Sequence, residues 1–112
     1  PAAGEALAAT LARLPARPTH LVCGMLNTKD VVGYMRPLAT RALSLHAVSI
    51  PGENATLSSA ETAAAAREAG LAAHEADSVE DAVTAILKDA PNARILICGS
   101  LYFAGHVLRT HA

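Results

Sequence analysis

Four short aliphatic runs separated by longer, alanine-rich stretches of helical period dominate this sequence, and that alternation constrains the fold more than any single residue. Runs of β-branched and aliphatic residues bounded by turn residues suit buried strands, whereas the stretches between them repeat their apolar positions every three or four residues. Such alternation predicts βαβ units on a largely parallel sheet, hence an α/β sandwich with helices on its faces. Strands are expected near 20–26 (HLVCGML), 44–50 (SLHAVSI), 72–75 and 94–99 (RILICG).

The helix boundaries are written into the polar residues. Ser58 stands three places before Glu61, the spacing of a capping box, and Gly70 suits the left-handed position after a helix, which predicts a helix over 58–70. Ser78 repeats the cap, Glu80 and Asp81 fall in the first turn where the helix dipole favours carboxylates, and Pro91 closes the helix over 78–90. Pro37 lies inside the helix expected after the first strand. Its ring presses on the Gly33 carbonyl and it cannot donate a hydrogen bond, so a kink is expected there. Val31, Val32, Met35, Leu38 and Leu43 trace an apolar face across it. At the start, Leu7, Leu11 and Leu14 form a helical stripe that opens at Pro1 with no capping residue, as if cut from a longer polypeptide at the end of a preceding strand.

A chain of 112 residues of which 52% are apolar suits one domain over 1–112 with a modest core. Nine basic and ten acidic side chains nearly cancel, which argues against binding nucleic acid or an anionic membrane through a global field but leaves room for a local anion site. There is no apolar run of membrane-spanning length and no secretory signal pattern, so a cytoplasmic setting is expected. Cys23 and Cys98 each sit in an aliphatic run before a glycine, where a small buried thiol packs well, and a structural role outweighs a redox one.

The segments LVCGML (21–26) and LICGSL (96–101) look alike: each is a buried strand that ends in Cys-Gly and turns at once toward a helix. In open parallel sheets ligands gather at the carboxyl ends of strands, so both segments should deliver their next polar residues to one edge. After the first come Asn27, Thr28, Lys29 and Asp30. Asn27 or Thr28 can cap the next helix, and Lys29 can present an ammonium to a carboxylate or phosphate, although a solvated lysine and an ordinary first-turn acid fit the spacing as well. After the second comes Ser100, able to cap the final helix or to bind an anion. Tyr102 and His106 share a face of that helix, and Gly105 would let it approach the sheet. The histidines at 20, 46, 74 and 111 are dispersed, no metal-ligand spacing occurs, and there is no GxxxxGK[ST], GxGxxG or GxSxG motif. No catalytic residue is assigned within this chain.

The run LVCGMLNTKDVVGYMRPL (21–38) resembles the strand, Gly-Met-Leu and Lys-Asp pattern in the C-terminal domains of the folylpolyglutamate synthase/dihydrofolate synthase family, within the Mur ligase superfamily. The closing ILICGSLYFAGHVL resembles the last strand and helix of the same family, and the two segments with the spacing between them cover nearly the whole chain. The resemblance implies a Rossmann-like three-layer α/β/α domain that closes over the active site of a larger enzyme whose N-terminal domain carries the P-loop. It also implies that Pro1 ends an Asp-Gly-Ala-His-Asn-Pro motif, which would place the first strand and the motif's Asp and His before residue 1.

The chemistry implied by the resemblance is phosphate transfer from ATP, with Mg2+, to the carboxylate of dihydropteroate or a folate, followed by attack of the L-glutamate amine on the acyl phosphate. In that scheme Lys29 and Ser100 contact the incoming glutamate, Asp30 and Tyr102 lie in the cleft without an assigned role, and His106 has none. ATP and Mg2+ belong to the full-length enzyme, and the chain alone should neither ligate nor bind a cofactor. Two other readings stay open: the C-terminal domain of a Mur ligase of cell-wall synthesis, and a non-catalytic Rossmann-like binding module.

Overall fold

The computed structural model describes residues 2–25, 30–49 and 57–99. Their order is α1 (Ala2–Arg13), β1 (Thr19–Gly24), α2 (Val31–Met35) running into a 3-10 segment (Arg36–Thr40), β2 (Ser44–Ala47), α3 (Ser59–Glu68), β3 (Ala73–Glu75), α4 (Val79–Asp89) and β4 (Arg94–Gly99). All strand pairs are parallel and the sheet order is β3-β2-β1-β4. The α/β class and the parallel sheet expected from the sequence are both present. β1, β2 and β3 are shorter than the aliphatic runs suggested, whereas β4 spans the expected 94–99.

Side-chain alternation along the strands creates two unequal cores. Leu21 and Cys23, Leu45 and Ala47, Ala73, and Cys98 point to one face, where Leu11 of α1, Val31 and Met35 of α2, Leu38, and Ala63 and Ala66 of α3 pack on them. Val22 and Val48 lie in the second core with Val79, Ala82 and Ile86 of α4, and Ile95 and Ile97 flank it. Leu21, Leu38 and Leu45 are completely buried, and burying such a side chain stabilises the fold by roughly 1.5–3 kcal/mol relative to leaving it in water. The alanines on α3 let that helix lie close to the sheet, which suits the short β2 and β3.

The capping signals hold in detail. Ser58 Oγ accepts from the Glu61 amide at 3.1 Å while Glu61 Oε1 accepts from the Ser58 amide at 3.0 Å, completing the capping box. That backbone hydrogen bond, with the Ser58 hydroxyl second, draws the Glu61 pKa down. Gly70 follows α3 with φ of 104°, and Ser78 caps α4 by accepting from the Asp81 amide at 3.0 Å.

Three expectations are corrected. The cap of α2 is Asp30, since the helix begins only at Val31, and not Asn27 or Thr28. At Pro37 the chain tightens from α to 3-10 geometry from Arg36 onward, so the apolar phase shifts. Val31, Met35 and Leu38 stay buried, but Leu43 falls beyond the helical segment and is 63% exposed. Its amide donates to the Thr19 carbonyl at 2.8 Å, which starts β2 and turns the side chain outward. Leu14 likewise falls past the end of α1 and is 43% exposed.

A candidate ligand site at the paired ends of β1 and β4

The chain passes from β1 to β2 to β3 toward one edge, with the intervening helices on one face, and returns through α4 on the other face to place β4 beside β1. Between β1 and β4, therefore, the direction of winding reverses, and in open sheets the crevice at the carboxyl ends of two such strands is where ligands bind. The two strands are in register over their whole length, with Cys23 opposite Cys98 and Gly24 opposite Gly99. Thus the two look-alike segments do end side by side.

The joint is tightly built. Gly99 has φ of 75°, and a Cβ there would lie 2.7 Å from the Gly24 carbonyl oxygen and 2.8 Å from both Cys23 Sγ and Met25 Sδ. Only glycine combines that backbone angle with that approach. The Gly99 amide donates to Tyr34 Oη at 3.2 Å, which ties the end of β4 to α2. Burial, and then the neighbouring Cys98 and Cys23, push the Tyr34 pKa well up, so its hydroxyl stays protonated and polar without charge. Beneath it, Gly4 of α1 meets the Tyr34 carbonyl so closely that no Cβ would fit.

Asp30 is exposed and works locally, with Oδ1 accepting from the Gly33 amide at 2.8 Å. Its carboxylate fills the space beside Gly33, which has no room for a side chain. Lys29, Ser100 and Tyr102 lie outside the described residues, as do Asn27, Thr28, Gly105, His106 and Pro1. Their neighbours in sequence place the departure points: Asp30 at the start of α2, and Gly99 at the end of β4. Cys23 and Cys98 are both free and buried. The hydrogen bond to Cys98, followed by burial, raises the Cys23 pKa, which keeps it a thiol, as the structural reading of the pair required.

Sequence spacing missed one cluster. His20, His46 and His74 share the face of the sheet that bears α4 and line an open groove of about 570 Å3 with Asp81 and Asp89. His46 and His74 are cross-strand partners with ring centroids 5.1 Å apart, and His20 Nδ1 lies 2.6 Å from Ser44 Oγ. Burial, then His74 and His20, lower the His46 pKa. The signal was available only through strand pairing, because the three residues lie on different strands. Among the described residues no group of three or more His, Cys, Asp or Glu side chains is arranged to hold a metal ion, and no helix is long and apolar enough to cross a membrane.

Residues 1–101 match the family model described as Mur ligase, glutamate ligase domain. The chain belongs to that family. A curated relative, the folylpolyglutamate synthase of Lacticaseibacillus casei, is 33% identical over 108 residues, which are 93% of this chain and 23% of the relative. Among solved structures, Mycobacterium tuberculosis folylpolyglutamate synthase complexed with ADP and AMPPCP superposes with a TM-score of 0.83 at 28% identity, over 96% of this chain and 26% of that one. E. coli FolC in complex with DHPP and ADP shares the fold, with a TM-score of 0.79 at 24% identity over 96% of this chain and 25% of its own. The Mur ligase domain described here therefore spans about a quarter of the length of the relatives it matches.

Proposed function

We propose that this Mur ligase domain supplies the amino-acid side of an ATP-dependent ligase that joins L-glutamate to dihydropteroate or folates. The observation that carries the reading is the register of β1 with β4, which brings the Cys-Gly ends of both strands to one edge. On this reading Lys29, just before the cap of α2, and Ser100, just after β4, would serve one ligand. The ammonium of Lys29 would pair with a glutamate carboxylate, and the Ser100 hydroxyl would hydrogen-bond the same amino acid and restrict its approach. Asp30 contributes by fixing the start of α2, and Tyr102, three residues beyond Gly99, belongs to the same cleft.

ATP and Mg2+ would supply the activated acyl phosphate. The described residues of this chain offer no ligand set for the metal, and the sequence has no phosphate-cradling loop, so both are assigned to an N-terminal P-loop domain acting with this one. On that division of labour the 112-residue chain alone neither turns over nor holds nucleotide tightly. It needs no nucleophile of its own, because glutamate provides the attacking amine and the chain provides position and charge. The resemblance to folylpolyglutamate synthases supports the folate branch, and a cytoplasmic location follows from that substrate class.

The test is glutamate incorporation into dihydropteroate and tetrahydrofolate by the ligase polypeptide carrying this domain, as wild type, Lys29→Ala and Ser100→Ala. The expected result is ligation by wild type with the KM for glutamate raised in both variants. Unchanged kinetics in both would return Lys29 and Ser100 to structural roles, and absence of ligation with either pterin substrate in folded enzyme would reject the folate assignment.

A further inference from the structure

The edge of the sheet opposite the strand ends described above carries a second concavity of about 290 Å3, bounded by the end of α1, the end of the 3-10 segment and the starts of β1 and β4. Arg17, Arg41 and Arg94 line it, and among the described residues no Asp or Glu does. Two of the guanidinium groups are anchored: Arg17 Nε donates to the Asn92 carbonyl at 2.7 Å, and Arg94 Nη2 donates to the Pro15 carbonyl at 2.8 Å. Each keeps further N–H groups unused by those bonds. The Arg41 side chain has no hydrogen bond or ion pair among the described residues.

Helix carboxyl ends attract cations, and α1 and the 3-10 segment both end at this groove, so some positive charge there is expected on structural grounds. The magnitudes do not balance. A helix end contributes roughly half a negative charge at most, and a short 3-10 segment less, against three full positive charges. Among the described residues that line the groove, about two charges remain uncompensated, in a chain whose formal net charge is −1.

We propose that this groove binds a phosphate group, as free inorganic phosphate or as the head of a small phosphate monoester. Guanidinium forks match phosphate oxygens in geometry as well as charge, and two of the three are already held in place, which lowers the entropy lost on binding. Leu14 on the adjoining wall, 43% exposed, gives apolar surface for the organic part of a monoester. The site is independent of the ligase reading, since it lies at the other end of the strands.

Calorimetric titration of the chain with inorganic phosphate and with phenyl phosphate, at low ionic strength, tests the proposal. Saturable one-to-one binding is expected, weakened about tenfold or more in Arg41→Gln. That variant leaves every hydrogen bond described above intact, and an unchanged unfolding midpoint checks its fold. Arg94→Lys, which keeps the charge and loses the fork, should weaken binding as well. Tighter binding of phenyl phosphate assigns the site to a monoester, and equal binding assigns it to free phosphate. Lack of saturable binding of either probe by wild type, or undiminished affinity in folded Arg41→Gln, overturns the proposal.

Discussion

The carbonyl oxygen of Gly24 stands 2.7 Å from the point a Cβ on Gly99 would occupy. Gly99→Ala therefore combines a left-handed backbone angle with a clash against backbone, and neither can relax without separating β1 from β4. The variant should lose about 2 kcal/mol or more of stability, read as a lower urea midpoint with little change in slope.

Tyr34→Phe keeps the ring and removes the acceptor of the Gly99 amide. We expect a loss of about 1–3 kcal/mol and, more specifically, faster hydrogen exchange at Gly99 than at the amides of β2. Unchanged exchange at Gly99 would show that the hydroxyl does not hold the end of β4.

Ser58→Ala and Ser78→Ala each delete a side-chain cap. A cost of about 1 kcal/mol apiece is expected, and at position 58 the backbone amide keeps its bond to Glu61 Oε1. Thermal unfolding of the single variants and of the double variant would show the two effects adding, because the caps belong to different helices.

His46 links stability to pH. Its folded-state pKa is lowered from 6.5, so the unfolded chain binds the proton more readily and stability rises with pH. The neutral ring's contribution is fully present above about pH 6.5 and is lost as pH falls through that value toward the folded pKa. Denaturation midpoints measured on both sides of it should fall more in wild type than in His46→Gln, with His20 and His74 common to both proteins.

Much of the fold was legible because local chemistry and tertiary need agree. Ser58, Glu61, Gly70 and Ser78 announce their helix ends through bonds that span three residues, and the aliphatic runs announce strands through burial on both faces. Errors arose where the next structural event depended on something nonlocal. The helical phase across Pro37 placed Leu43 inside, but the tightening to 3-10 geometry released it. The adjacency of LVCGML and LICGSL could be argued from the general behaviour of parallel sheets, whereas their equal height required the pairing itself. The histidines of β1, β2 and β3 were invisible as a group for the same reason: proximity across strands leaves no spacing signature. Tyr34 also passed without notice, since a tyrosine among apolar helix residues reads as core until its hydroxyl is seen to meet an amide from β4.

The in-register ends of β1 and β4 come from opposite ends of the described chain, so their meeting closes one of the longest loops in the molecule. A ligand that gripped both ends would bind only the closed form. For such a ligand, occupancy and strand closure would be one equilibrium viewed from two sides: it would act as a latch on the fold, and any change that loosened the latch would weaken its hold by the same free energy.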